Sequence, residues 1–361
     1  ATRWPDAVDG AAWDYGTNLD YLKELVAYWQ HDFDWRALER QLNTWPHFKV
    51  AIDGFGLHFL HVRGRGDGRT KPVPLLLSHG FPDSFLRMVK LIPLLTDPAA
   101  HGGDAADAFD VVIPSLPGFG FSDRPKQRGW DVAKIAALLH KLMTETLGYT
   151  RYAAHGGDWG SAITEQLAVT QPEQLLGIHL TEIPFTRLFS VPPANLSAAE
   201  QAYVQAGRKW QRNEGGYFAI QSTKPQTLAA GLADSPVGLA AWIVEKYRGW
   251  SDCDGDVERA FTKDELLANI TLYWVTQTIH SAMRLYYEAR VSRPVPHPKR
   301  VAVKTAVSIF PKDLVQAPRE YGERFYDIQR WTVQPRGGHF AAFEEPELMA
   351  HDLREFFRNL R

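Results

Sequence analysis

Tyr152-Ala153-Ala154-His155-Gly156-Gly157-Asp158-Trp159-Gly160-Ser161 runs from an apolar strand pattern, through glycines, into a helical pattern. Its centre has the form Gly-x-Nuc-x-Gly, with Asp158 in the place of the nucleophile. A sharp strand-to-helix turn forces unfavourable backbone angles on the central residue. Small neighbours relieve the crowding, and the central side chain stands free at the edge of the sheet. The bland alternative is an Asp that merely caps the following helix. The rest of the chain decides between the two.

Upstream, Val73-Pro74-Leu75-Leu76-Leu77 reads as a buried strand ending in Ser78-His79-Gly80-Phe81-Pro82, with a helix pattern from Ser84. Residues 109–114 form a second strand, ending in Leu116-Pro117-Gly118-Phe119-Gly120, and a helix is expected over 132–147. Residues 175–180 are again a strand. Strand and helix alternating at this spacing build βαβ units and a parallel sheet covered on both faces. Such a sheet binds ligands at the carboxyl ends of its strands, where all of these motifs fall.

Outside the alternation, residues 48–52 and 57–62 have period two and read as a hairpin. Residues 1–47 carry Leu19, Leu22, Leu25 and Val26 at helical spacing and read as an N-terminal arm wrapping the main domain. Residues 185–297 are rich in helix pattern and in aromatics, among them Trp210, Tyr217, Trp242, Tyr247 and Trp250, and read as an inserted helical cap. Strand patterns return at 301–307 and 328–333, and a helix over 345–359 closes the chain. The expected fold class is α/β: a mostly parallel sheet covered by helices, its core made of 48–184 and 298–361.

Composition fits one large domain with a lid. The 361 residues are 45% hydrophobic and 23% charged, with a net charge of -2. No basic run asks for nucleic acid or an anionic membrane. The single cysteine, Cys253, forms no internal disulfide and no cysteine metal site. No stretch reaches the roughly 18 apolar residues of a spanning helix, so no membrane partner is expected and the cytoplasm is the expected location.

An aspartate at the turn changes the chemistry from that of a serine enzyme. A carboxylate, with a reference pKa of ~3.9, is already ionised at neutral pH and needs no base to activate it. The helix N-terminus behind it favours the anion further. Attack on an ester carbonyl would give an anhydride; attack on a saturated carbon gives an alkyl ester that water then cleaves. The substrate should therefore carry an electrophilic sp³ carbon with a leaving group, such as an epoxide or an alkyl halide.

A base must activate that water. His339, in Gly337-Gly338-His339-Phe340, lies between the last strand and the last helix, and the order nucleophile, acid, histidine is that of α/β-hydrolases. Asp313, shortly after the preceding strand, is the preferred acid; Glu182, after the strand at 175–180, competes for the role. Main-chain N–H groups of Phe81 and Trp159 are placed to form an oxyanion hole. An opening epoxide also needs a proton donor, for which tyrosine suits. The cap offers Tyr203, Tyr217, Tyr247, Tyr273, Tyr286 and Tyr287, and the residues alone do not choose among them.

Taken together, His79-Gly80-Phe81-Pro82, Pro117-Gly118-Phe119-Gly120-Phe121-Ser122-Asp123-Arg124-Pro125, the elbow, Gln221-Ser222-Thr223-Lys224-Pro225, residues 234–240 and residues 336–346 resemble the epoxide hydrolases of the α/β-hydrolase fold, most of all the microsomal-type branch. The resemblance implies Asp158 as nucleophile, Asp313 as acid, His339 as base and Tyr217 and Tyr286 as the ring-opening tyrosines. It also implies a small-molecule epoxide and water as reactants, a vicinal diol as product, and no cofactor or metal. The aromatic cap points to bulky apolar or aryl epoxides, in detoxification or secondary metabolism. Microsomal members carry an N-terminal membrane anchor that this chain does not show, so a soluble bacterial-type member is expected, and a homodimer is left open. A haloalkane dehalogenase is the first rival, disfavoured because Phe81 stands where a halide-binding Asn is usual. A non-catalytic ligand-binding protein is the second, disfavoured by the intact Asp158, Asp313 and His339.

Overall fold

The computed structural model describes residues 3–292 and 300–361. One eight-stranded sheet runs through it in the order β1-β2-β4-β3-β5-β6-β7-β8. The strands are β1 (His47–Ile52), β2 (Phe55–Val62), β3 (Val73–Ser78), β4 (Phe109–Pro114), β5 (Tyr152–Gly156), β6 (Leu175–Leu180), β7 (Val301–Ile309) and β8 (Tyr326–Val333). β1 pairs with β2, and β2 with β4, antiparallel; every later pairing is parallel. β4 and β5 are buried along their whole length, because helices cover both faces of a parallel sheet. The β1–β2 connection is only Asp53-Gly54, with φ of 50° and 78° at the two residues, a turn whose twist matches that of the strands it joins.

Two expected helices come out differently. The pattern from Ser84 yields a short 3-10 turn, Phe85–Met88, and only then a helix, Leu91–Thr96. The helix over 132–147 is regular for Val132–Lys141 and continues as a π turn, Leu142–Thr146.

Between β6 and β7 the described residues leave the sheet and form six longer helices: Ala198–Glu214, Gly216–Thr223, Pro225–Asp234, Pro236–Trp250, Lys263–Thr276 and Ile279–Val291. Their boundaries are written in the sequence. Ser197 with Glu200, and Thr262 with Glu265, form reciprocal capping boxes. Pro225 and Pro236 sit in first turns, where no N–H is needed. The expected boundary at 297/298 lies outside the described residues. The first arm helix, Leu19–His31, packs on cap helices Pro236–Trp250 and Lys263–Thr276. It is tied there by Thr17 Oγ1 donating to Ala241 O at 2.7 Å and by Lys263 Nζ donating to Glu24 at 2.7 Å. The first arm helix therefore holds the lid. Among the described residues no single helix is long and apolar enough to cross a membrane.

Candidate active site

Six loops leave the carboxyl ends of β3 to β8, and five bring a side chain or main-chain donor to one place. Asp158 stands at the end of β5 with φ 55° and ψ −128°, as the residue before helix Trp159–Thr170. The glycines around it are there for steric reasons. A Cβ on Gly156 would lie 2.0 Å from the carbonyl oxygen of Gly160, and a Cβ on Gly160 would lie 2.0 Å from that of Ser78. In both cases backbone meets backbone, so neither residue tolerates a side chain without opening the turn. The loop after β3 closes on the carboxylate. The Phe81 N–H donates to Asp158 Oδ1 at 2.8 Å, and a Cβ on Gly80 would fall 2.1 Å from that same oxygen. Trp159 opens the helix, a position whose N–H has no intrahelical acceptor.

His339 arrives from the loop after β8 and is fully buried. Its Nε2 lies 3.4 Å from Asp158 Oδ2, and its Nδ1 lies 2.7 Å from Asp313 Oδ1, in the loop after β7. Glu182, after β6, comes to 3.8 Å from the same Nδ1. Of the two candidate acids, Asp313 makes the hydrogen bond. Glu182 stands one contact further out, bonded to Ser161 across 3.0 Å. Burial opposes a charge on His339, but chiefly Asp313 and Asp158 outweigh it and hold its pKa well above the ordinary value. The imidazolium is thus favoured while Asp158 is ionised. Burial, then Asp313, push the Glu182 carboxyl up to about 7. Among the described residues Glu182, Asp313 and His339 form the one set of three or more His, Cys, Asp or Glu side chains close enough to share an ion, and Asp313 already occupies the imidazole nitrogen that faces it.

Asp158 opens onto a cavity of about 220 Å³ walled by Trp159, Phe185, Phe189, Trp210, Phe218 and Leu314. Of the six cap tyrosines, Tyr217 and Tyr286 line it. Their rings are 5.9 Å apart at 80°, and Tyr286 stands edge-on to Trp159 at 4.8 Å. The Tyr286 hydroxyl is buried without a hydrogen-bond partner. Burial and the Asp158 charge raise the pKa of Tyr217 well above the ordinary value; burial, Tyr217 and Asp158 do the same for Tyr286. Both hydroxyls stay protonated and can donate. The other tyrosines are occupied elsewhere. Tyr273 donates to Asp83 O at 2.8 Å, Tyr247 stacks on Phe340 at 4.2 Å, Tyr203 packs on Tyr321, and Tyr287 lines a separate surface cleft.

Four residues at the site carry no signal in the sequence. Arg87 is buried, pairs with Asp83 at 2.7 Å and donates to the His339 carbonyl at 2.5 Å. Trp250 accepts the His339 N–H at 2.8 Å through its carbonyl and stands edge-on to the imidazole at 5.3 Å. Lys246 holds its ammonium 5.1 Å from the centre of the Tyr217 ring. Ser161 bridges Asp158 and Glu182. Arg87, Trp250 and Lys246 act through tertiary packing, and Ser161 joins its near neighbour Asp158 to Glu182 from another loop, contacts that neighbours in sequence do not record.

Sheet order, elbow and histidine loop define an α/β-hydrolase-fold enzyme with an aspartate at the elbow. Residues 73–239 match the alpha/beta hydrolase fold family, and residues 1–88 match the family described as Epoxide hydrolase N terminus. A Stigmatella aurantiaca protein provisionally named as an epoxide hydrolase is 47% identical over 362 residues, covering 100% of this chain and 81% of that protein. Epoxide hydrolase 1 of Oryctolagus cuniculus is 37% identical over 380 residues, covering 98% and 83%. The crystal structure of juvenile hormone epoxide hydrolase from the silkworm Bombyx mori superposes with a TM-score of 0.90 at 33% identity, covering 99% of this chain and 89% of that one. The chain belongs to the epoxide hydrolase family.

Proposed function

We propose that this epoxide hydrolase works through a covalent ester on Asp158. Asp158 attacks an epoxide carbon from the back side, while the Tyr217 and Tyr286 hydroxyls hold the ring oxygen and supply its proton. Loss of the Asp158 charge lowers the affinity of His339 for its proton, which passes to the tyrosine pair. Neutral His339 then takes a proton from water, and the resulting hydroxide attacks the ester carbonyl. Asp313 steadies the imidazolium that forms, and the Phe81 and Trp159 N–H groups hold the developing oxyanion. The cycle ends with the diol, ionised Asp158 and protonated His339, as it began.

One observation carries this reading. An aromatic cavity is lined by a carboxylate, Asp158, and by Tyr286, whose buried hydroxyl has no protein partner, and behind the carboxylate an imidazole stands 3.4 Å away, backed by a second carboxylate. That hydroxyl supports an oxygen leaving group, and the Trp and Phe walls support bulky apolar or aryl epoxides. The test is His339→Gln mixed with styrene oxide and weighed intact. The expected result is a species heavier by one epoxide, mapped to the peptide bearing Asp158. Steady turnover to diol with no such adduct would reject the ester.

A further inference from the structure

Ser161 Oγ lies 2.7 Å from the Asp158 carbonyl oxygen and 3.0 Å from Glu182 Oε1. A hydroxyl has one proton. The carbonyl can only accept, and it is the nearer partner, so the Ser161 proton belongs to it. The remaining contact needs a second proton, and Glu182 is the only group there that can carry one. We propose that Glu182 stands in the resting enzyme as a neutral carboxylic acid, donating its O–H to Ser161 Oγ, and so acts as a positioning residue for the elbow rather than as a second acid of the histidine. The role in the cycle rests on the covalent reading above; the protonation state does not.

Charge around the imidazole leads to the same assignment. Three carboxyl groups, Asp313, Asp158 and Glu182, stand 2.7, 3.4 and 3.8 Å from its nitrogens. The charged groups facing Glu182 are Asp313, His339, Asp158 and Arg87, and Arg87 is committed to Asp83. One imidazolium does not offset three carboxylates set this close together, so one of them keeps its proton. Asp313 accepts from His339 and from the Leu314 N–H at 2.6 Å, and Asp158 accepts from Phe81 N–H. Among the described residues Glu182 has only the Ser161 hydroxyl, so it is the poorest place for a charge. Its raised pKa, about 7, agrees. A neutral Glu182 leaves His339 two anionic neighbours instead of three, so the imidazole can still release its proton once Asp158 is esterified. It also locks the Ser161 hydroxyl onto the carbonyl of Asp158, whose φ of 55° needs such support.

Two measurements on the full chain test this. The first is the infrared difference spectrum between parent enzyme and Glu182→Gln at mildly acid pH. It should show the C=O stretch of a neutral carboxylic acid, present only in the parent and fading as pH rises through about 7. In Ser161→Ala that band should fade at lower pH, because the neutral form has lost its acceptor. An ionised Glu182 accepting from Ser161 would give no such band at that pH, and would titrate higher, not lower, in Ser161→Ala; either result overturns the assignment. The second is the acid limb of ester hydrolysis in Glu182→Gln. With Glu182 neutral, the limb stays in place whatever happens to the rate. Removal of an ionised carboxylate so near Nδ1 would move it down by about 1–3 pH units, which would overturn the part given to a neutral Glu182 in the cycle. The infrared arm does not involve the substrate. If the band is present and no ester forms, the covalent reading falls and the neutral Glu182 stands.

Discussion

Removing the Tyr286 hydroxyl isolates one interaction with almost no structural cost, because that hydroxyl is buried and bonded to nothing in the protein. In Tyr286→Phe the ring still packs edge-on to Trp159 and Phe81, at 4.8 and 5.5 Å. Folding stability should therefore change by less than about 0.5 kcal/mol. The alkoxide of the opening epoxide loses one donor of two. A hydrogen bond to a charged partner contributes about 1.5–3 kcal/mol, and about 1.36 kcal/mol is a factor of ten in rate, so ester formation should slow by roughly 10- to 150-fold. Hydrolysis of the ester, which leaves that oxygen untouched, should keep its rate. Tyr217→Phe should act in the same way, and the double variant should lose more than either. Stopped-flow tryptophan fluorescence with a single turnover separates the two steps, with Trp159, next to Asp158 and lining the cavity, as reporter. A Tyr286→Phe enzyme that forms the ester within about twofold of the parent rate, or that is slowed in hydrolysis instead, would refute the placement of the alkoxide between the two tyrosines.

Asp313→Asn removes the anion that orients His339 at 2.7 Å. It should slow ester hydrolysis by about 10³- to 10⁴-fold while ester formation continues, so the covalent species accumulates and is visible by intact mass. Gly160→Ala drives a Cβ to 2.0 Å from the Ser78 carbonyl oxygen; with backbone on both sides it should cost more than the ~1–3 kcal/mol of ordinary overpacking, read as a lower urea midpoint. Arg87→Met leaves Asp83 buried without its cation and the His339 carbonyl without its donor, a loss of about 3–5 kcal/mol by chemical denaturation. The same pair sets an acid limit. Burial alone would raise the Asp83 pKa, but Arg87 and His79 hold it at about 2, against an ordinary 3.8. Its contribution is complete above 3.8 and is lost as pH falls toward 2, and in Arg87→Met acid unfolding should begin at higher pH.

The elbow was legible because its constraint is local: strand, Gly-x-Asp-x-Gly and helix are contiguous, and the steric reason for each glycine lies within a few residues or in the neighbouring strand. His339 and Asp313 were reachable from chain order, since in a parallel sheet every loop after a strand opens on the same edge. That rule could not separate Asp313 from Glu182. β6 and β7 are neighbours, so both carboxyls arrive beside one imidazole, and the difference between 2.7 and 3.8 Å lies in loop conformation. Tyr217 and Tyr286 came from family resemblance, because six cap tyrosines have the same chemistry and only helix packing turns two of them inward. Nothing in the sequence gave Arg87, Lys246, Trp250 and Ser161 their places at the site. The arm's grip on the cap was missed for a related reason: an amphipathic helix states that it has a partner but not which one.

The covalent ester on Asp158 is tested most directly by a single turnover with excess enzyme and styrene oxide in ¹⁸O-labelled water. The account predicts a first diol that carries no label, with the label appearing in the carboxylate of Asp158 after digestion and mass analysis. A labelled first diol and an unlabelled Asp158 would mean that water attacks the epoxide directly, and would contradict the account.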